Sequence, residues 1–263
     1  MKTLDLKHKN IIQPPVRQAY EQCSFASVSM HLDYQLRFIY SKSWARIEFP
    51  VPENGCLFDH IKWQADLNAK FPNISRWKPQ HLLRQAKSVG APLWNGVYHI
   101  IQEEMCFYLH YEKKFKNPDD VLKMLINFCP CVGVFEVRED YRPDGDTVYH
   151  GTMPQVDDVT CDDVGKDTKP LAHHAVVLLD YLVVNDIMYV IYQSFDGDPH
   201  KSLLQRGMSL VKSELIVEAF YGGSIPPVHP SAVFLNRYQL DDTQEHINGV
   251  TRLIKKTDEW MDV

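Results

Sequence analysis

Apolar side chains recur every three or four positions in one stretch near the N-terminus, at Phe25, Val28, Leu32, Leu36 and Ile39. This spacing keeps one face of a helix apolar, and it predicts a buried helix over residues 23–42. Cys23 then lies in the first turn, where unpaired backbone N–H groups and the helix dipole favour a thiolate. Cys23 is therefore a candidate nucleophile, and the alternative is a free cysteine that only packs at a helix start.

Two apolar runs in the second half of the chain, residues 175–184 and 187–192, are separated by Asn185-Asp186. This pattern predicts a β-hairpin, because Asn and Asp favour tight turns. His174 begins its first strand and Gln193 ends its second. In an antiparallel pair these two positions lie side by side. We therefore expect Gln193 to contact the His174 imidazole and fix its tautomer, the third role in a nucleophile–base–orienter set.

The remaining elements follow from shorter patterns of the same kinds. Helices are predicted over residues 56–70, over 79–89 with Gly90 as the stop signal, and over 118–127 with Asn117 as the cap. Strands are predicted over residues 45–49, 99–114, 131–138 and 233–238, with a strand and a short helix around 208–216. Helices dominate the first half and strands the second, which indicates an α+β fold.

The length of 263 residues allows one domain, or two lobes that share a cleft. The net charge of −6 disfavours binding to nucleic acid, so we expect no nucleic-acid partner. Residues 1–10 are polar and basic, unlike a signal peptide, and the apolar run around residues 125–137 is too short to span a bilayer. We expect a cytoplasmic or nuclear protein with no membrane partner, and the sequence leaves its oligomeric state open.

The six cysteines are Cys23, Cys56, Cys106, Cys129, Cys131 and Cys161. An odd number remains when Cys23 is set aside, so reduced thiols are expected. Cys129-Pro130-Cys131 has no second ligand pair, which favours a turn into a buried strand over a metal site. The aspartates of residues 152–170 lack the spacing of a calcium loop and indicate a solvated loop. No metal and no cofactor is expected.

Several segments together carry a resemblance to a known family. The chain has Gln18, then Cys23-Ser24-Phe25-Ala26, then His174-Ala175-Val176, and then Gln193-Ser194-Phe195-Asp196-Gly197. The papain-like cysteine peptidases have, in the same order, a glutamine, Cys-Trp-Ala-Phe, His-Ala-Val and Asn-Ser-Trp-Gly. A cysteine near the N-terminus with its histidine far downstream is typical of that family. The chain resembles it over most of residues 12–200, as a divergent member that we expect to lack a prodomain.

The resemblance implies a papain-like two-lobed fold. It assigns a helical lobe with a central helix to residues 12–115. It assigns an antiparallel, β-barrel-like lobe to residues 116–240 together with the N-terminal arm, and it leaves residues 241–263 as a polar tail. The active-site cleft would lie between the two lobes.

The resemblance also implies a role for each site residue. Cys23 would be the nucleophile, His174 its base and Gln193 the residue that orients His174, with Phe195 shielding that contact. Gln18 and the Cys23 backbone N–H would stabilise the oxyanion. The implied activity is that of a cysteine-type peptidase acting on a peptide or protein through a thioester intermediate.

A second set of residues is assigned to substrate binding by the same resemblance. Gly55 and Cys56 stand where the family has a glycine pair that binds the extended substrate backbone, with Cys56 in place of the second glycine. His173, which precedes the base, is assigned to the same function.

The departures from the family pattern support one alternative, and a second alternative stays open beside it. Ser24, Gln193 and Phe195 replace the usual Trp, Asn and Trp. One alternative is a non-enzymatic member that uses the fold as an interaction module. The other is acyl transfer to an amine, which would use the same residues as hydrolysis.

Overall fold

A computed structural model describes residues 11–13, 22–42, 56–110, 117–137, 141, 148–149, 172–194 and 208–223. The strands predicted over residues 45–49 and 233–238, and the polar tail 241–263, lie outside these ranges. The elements below are therefore those of the described part of the chain.

The described chain forms four helices, nine strands and one 3-10 turn. The helices are α1 (Cys23–Lys42), α2 (His60–Lys70), α3 (Pro79–Ser88) and α4 (Pro118–Phe128). The strands are β1 (Ala91–Pro92), β2 (Tyr98–His99), β3 (Glu103–Tyr108), β4 (Cys131–Val137), β5 (Val148–Tyr149), β6 (Ala172–Val184), β7 (Ile187–Gln193), β8 (Met208–Lys212) and β9 (Ile216–Gly223), and the 3-10 turn is Ser213–Leu215. None of the described helices is long and apolar enough to cross a membrane.

The predicted helix ends are confirmed where a local signal was present. Asn117 Oδ1 accepts a hydrogen bond from the Asp119 backbone N–H at 3.1 Å and so caps α4. Gly90 follows α3 with a φ of +91°, a conformation that favours glycine. The weaker pattern over residues 56–70 was only partly right, because α2 begins at His60, where Asp59 supplies the cap.

Seven strands form one sheet in the order β3-β9-β4-β6-β7-β8-β5. Neighbouring strands are antiparallel except β5 and β8, which are parallel. The sheet is open among the described residues, with β3 and β5 at its edges, and no closed barrel is formed there. The sequence pattern missed β9 and gave only a short helix near it, which the structure reduces to the single 3-10 turn.

The strand β3 connects the two halves of the described chain. It lies in the segment assigned to the helical lobe, yet it pairs along its whole length with β9, from Glu103 opposite Gly223 to Tyr108 opposite Glu218. The sheet therefore extends into the first half of the sequence.

The central helix α1 packs against β6 and β9. Its side chains are buried from Ser24 to Leu36, including polar ones, and several of these polar groups have protein partners. The His31 ring donates from Nδ1 to the Pro130 carbonyl at 2.8 Å and accepts at Nε2 from the Gly222 N–H at 2.8 Å. Asp33 pairs with Arg37 at 2.9 Å. The helix is thus tied to the sheet by directional bonds as well as by apolar packing.

The two faces of the sheet pack into different cores. The core on the α1 side contains Ala175, Val177 and Leu179 of β6. The core on the α4 side contains Val176 and Leu178. Strand residues alternate between faces, so each position of β6 can be assigned to one side.

The predicted hairpin is confirmed as β6 and β7. Its turn residues, Asn185 and Asp186, both have positive φ, 51° and 63°, as a type I′ turn requires. The pairing that starts regularly at the turn is interrupted between Leu178 and Asp180, where β6 carries one extra residue. This bulge changes which residues of β7 lie opposite the start of β6.

Candidate active site

Cys23 is the first residue of α1 and is half-buried. The carbonyl of the preceding residue, Gln22, accepts the first helical hydrogen bond from Ala26 at 2.9 Å. The Gln22 side chain donates to Gln64 Oε1 on α2 at 2.6 Å. The start of the central helix is thereby fixed against α2, and the thiol lies at the positive end of the helix dipole.

The side chains that follow Cys23 anchor the same turn. Phe25 packs edge-to-face on Trp63 and Trp77, with ring centroids 5.9 and 6.3 Å away. Ser24, which stands where the family has a tryptophan, is buried, and its carbonyl accepts from Ser27 Oγ at 3.1 Å. These contacts set the position of the thiol in the fold.

His174 lies near the start of β6, directly opposite Phe135 of β4. Its ring packs edge-to-face on Phe135 and tilted on Tyr141, with centroid distances of 5.7 and 5.8 Å. Burial lowers the pKa of His174 from 6.5 to about 4. The ring is therefore neutral at neutral pH, and one of its two nitrogens is free to accept a proton.

Gln193 does not make the contact with His174 that the sequence led us to expect. Its side chain is fully buried, and its Oε1 accepts from the Tyr34 hydroxyl of α1 at 2.6 Å. Its Nε2 donates to the Gln13 carbonyl at 3.0 Å. The partner of the imidazole is Ser194, whose Oγ lies 3.4 Å from His174 Nε2.

The bulge in β6 explains this difference. The regular pairing at the turn, Val184 opposite Ile187, would place Gln193 opposite Leu178, on the same face as His174. The extra residue shifts the register, so that Gln193 lies opposite Val177 instead. Gln193 then faces α1, and the next residue, Ser194, faces the side of His174.

Cys23 and His174 are carried by elements that pack together, α1 and β6. Their side chains, however, contact the cores on opposite sides of the sheet. Cys23 packs against the core on the α1 side. The ring of His174 contacts Phe135, a member of the core on the α4 side. No hydrogen bond joins the Cys23 thiol to the His174 ring in the structure.

Of the other assigned residues, Gln18, Gly55 and Phe195 lie outside the described part of the chain. The Cys56 side chain is only 1% exposed, and burial raises the pKa of its thiol. The whole residue is therefore inaccessible to a substrate unless this part of the chain moves. His173 is exposed, opposite Glu136 of β4, and is accessible to a ligand.

The sequence analysis did not predict the residues around His174, because their contacts with the ring form between segments that are distant in the chain. Phe135 meets the ring through a cross-strand pair, and Ser194 meets it through a shifted register. Because side chains alternate along a strand, Phe135 can be placed on one face of β4, but the sequence does not show which strand pairs with β4. Tyr34 lies outside the apolar period of α1, so the sequence pattern does not mark it.

The cysteines in the described ranges form no disulfide, and no group of three or more His, Cys, Asp or Glu side chains converges there into a metal site. Cys129 and Cys131 are both buried at the entrance to β4, as a turn into a buried strand predicts. Burial raises the pKa of both thiols, which therefore stay protonated.

In sequence, the chain matches no protein-family model and no curated protein. In structure, it matches papain-like cysteine proteases. The Carica candamarcensis cysteine protease CMS1MS2, in complex with E-64, aligns with a TM-score of 0.52 and 12% identity over 83% of this chain and 96% of its own. Bromelain from Ananas comosus, also in complex with E-64, gives a TM-score of 0.54 and 12% identity over 82% and 95%.

A proenzyme shows the same similarity. Digestive procathepsin L2 from Tenebrio molitor larval midgut aligns with a TM-score of 0.53 and 13% identity, over 81% of this chain and 65% of its own. At these identities the comparisons establish the fold: a helical N-terminal part and a C-terminal, largely antiparallel sheet in the papain-like arrangement.

Proposed function

We propose that this protein is a thiol-dependent hydrolase, most specifically a cysteine-type peptidase, with Cys23 as its nucleophile. One observation carries the proposal. In a papain-like fold, Cys23 is the first residue of the central helix, and the strand that carries His174 packs on that helix. A helix N-terminus stabilises the thiolate, which is the reactive form of cysteine.

The proposed reaction follows from these two groups. His174 takes the proton from the Cys23 thiol, and the thiolate attacks the carbonyl carbon of a peptide bond. The Cys23 backbone N–H, with Gln18, stabilises the negative charge on the carbonyl oxygen. The protonated His174 then gives its proton to the leaving amine, and water hydrolyses the thioester to release the acid and regenerate the thiol.

The proposed substrate class is a peptide or protein. The structural neighbours are described as cysteine proteases and proteinases, and two of them hold E-64. Exposed His173, next to the base, is proposed to contact the substrate. Gly55 is proposed to bind its extended main chain.

Labelling of the intact protein with the epoxide E-64 at mildly acidic pH tests this proposal, with adduct formation followed by mass spectrometry. We expect a single adduct on Cys23 that forms faster than on N-acetylcysteine. Cys23→Ala should abolish the adduct and all cleavage of a fluorogenic peptide library, and His174→Ala should slow both. Cys106→Ala is the matched control, since Cys106 is the other half-buried thiol of the described residues, and it should change neither.

A specific observation favours a second candidate, an interaction module built on the same fold. Cys23 and His174 share no hydrogen bond, and Gln193 is used to fasten α1 to β7. This candidate predicts that Cys23 reacts at the rate of the free thiol and that His174→Ala leaves this rate unchanged. That outcome, together with no peptide cleavage, would contradict the hydrolase proposal.

A further inference from the structure

The contact between His174 and Ser194 suggests a role for a residue that the family pattern leaves unassigned. Ser194 is 1% exposed and directly follows β7. Its Oγ lies 3.4 Å from His174 Nε2 and is the hydrogen-bond partner of the ring among the described residues. The opposite ring nitrogen, Nδ1, is therefore the one that is left for a proton-transfer partner.

Gln193 is prevented from taking this role by its own bonds. Its carbonyl oxygen is bound by Tyr34 and its amide nitrogen by the Gln13 carbonyl, at 2.6 and 3.0 Å. It lies on the α1 side of the sheet, whereas His174 lies on the α4 side. Turning Gln193 towards the ring would break both of these hydrogen bonds, so the amide is held away from His174.

We propose that Ser194 is the positioning residue of His174: its hydroxyl oxygen accepts a hydrogen bond from Nε2–H and so keeps the lone pair on Nδ1. This inference rests on the proposed function, in which Nδ1 takes the thiol proton of Cys23 to give the thiolate and the imidazolium. The ring is neutral at neutral pH, so the tautomer decides which nitrogen can act as the base. Phe135 and Tyr141 restrict rotation of the ring and preserve this orientation.

The tautomer can be measured without any turnover. We would record ¹⁵N side-chain spectra of the uniformly labelled full chain at neutral pH and assign His174 from the signals lost in His174→Gln. We expect the Nε2–H form to predominate in the wild type. Ser194→Ala should give a mixture of the two tautomers, and Ser194→Thr, which restores the hydroxyl, should return the Nε2–H form.

Two controls separate positioning from a general structural effect. Ser29→Ala removes another buried serine hydroxyl, on α1, and should leave the His174 tautomer unchanged. Gln193→Met removes the amide that the family pattern would assign and should also leave the tautomer unchanged. A wild-type tautomer in Ser194→Ala, or a mixture in Gln193→Met but not in Ser194→Ala, would overturn the proposal.

A rate measurement distinguishes failure of this inference from failure of the proposed function. We expect Ser194→Ala to slow E-64 labelling of Cys23 by about ten- to a hundredfold, a part of the total general-base contribution, and Ser194→Thr to restore most of the rate. If Cys23 is unreactive while the tautomer still depends on Ser194, the hydrolase proposal fails and the positioning contact stands. If Cys23 is reactive and Ser194→Ala changes neither rate nor tautomer, only the positioning proposal fails.

Discussion

Tyr34 connects the central helix to the strand that carries Gln193, and it shows how single polar residues hold this fold together. Its hydroxyl lies 2.6 Å from Gln193 Oε1, and both side chains are buried. Tyr34→Phe should lower the free energy of unfolding by about 1–3 kcal/mol, because a buried amide oxygen loses its donor. Urea unfolding at neutral pH measures this loss.

Tyr98→Phe is the matched control for that prediction. Tyr98 is 40% exposed, and its hydroxyl bonds the exposed side chain of Asp66. Its loss should change the free energy of unfolding by at most about 0.5 kcal/mol, as for most surface substitutions. Equal effects of the two changes would show that the bond from Tyr34 to Gln193 is not an anchor.

At the scale of secondary structure elements, β4 and β6 approach so closely that one position must be small. A Cβ added to Gly133 of β4 would lie 2.7 Å from both terminal carbons of Leu178, which is fully buried. Gly133→Ala should therefore lower the free energy of unfolding by about 1–3 kcal/mol through overpacking. Chemical denaturation measures the change.

A double-mutant cycle with Leu178→Ala tests the cause of that loss. Removing the Leu178 side chain makes room for the new methyl group, so the double variant should lose less stability than the sum of the two single losses. Simple additivity of the two losses would contradict the steric explanation.

At the scale of the whole molecule, buried ionisable groups make stability depend on pH. Burial lowers the pKa of His31 and of His174 from 6.5 to about 4. Between those values the unfolded chain binds more protons, so each histidine removes stability as the pH falls, by up to about 1.4 kcal/mol per pH unit. Burial raises the pKa of Asp33 from 3.8 to about 6, against the opposing effect of Arg37, and this works in the other direction.

The balance of two histidines against one carboxyl predicts a net loss of stability on acidification from about pH 6.5 to 4. Urea unfolding at several pH values in that window measures the slope. His31→Gln should flatten the slope, because one of the two histidines is gone, and Asp33→Asn should steepen it, because the offset is gone. Slopes unchanged in both variants would show that these groups do not control acid stability.

The sequence by itself determined the elements whose causes are local. The apolar period of α1, the Asn117 cap of α4, the Gly90 stop after α3 and the Asn185-Asp186 turn each act within a few residues of the chain. These features placed Cys23 at a helix start and His174 at a strand start before any packing was known. These elements depend on steric effects between residues that are close in the chain, so the packing of the whole fold did not change them.

Tertiary structure alone decided how these elements combine into a site. The strand order, the pairing of β3 with β9 and the burial of Cys56 depend on contacts between distant segments. Because of the bulge between Leu178 and Asp180, Ser194 and not Gln193 contacts His174. Because side chains alternate along a strand, one extra residue moves a neighbour to the other face, and no local pattern in the sequence records where that residue is inserted.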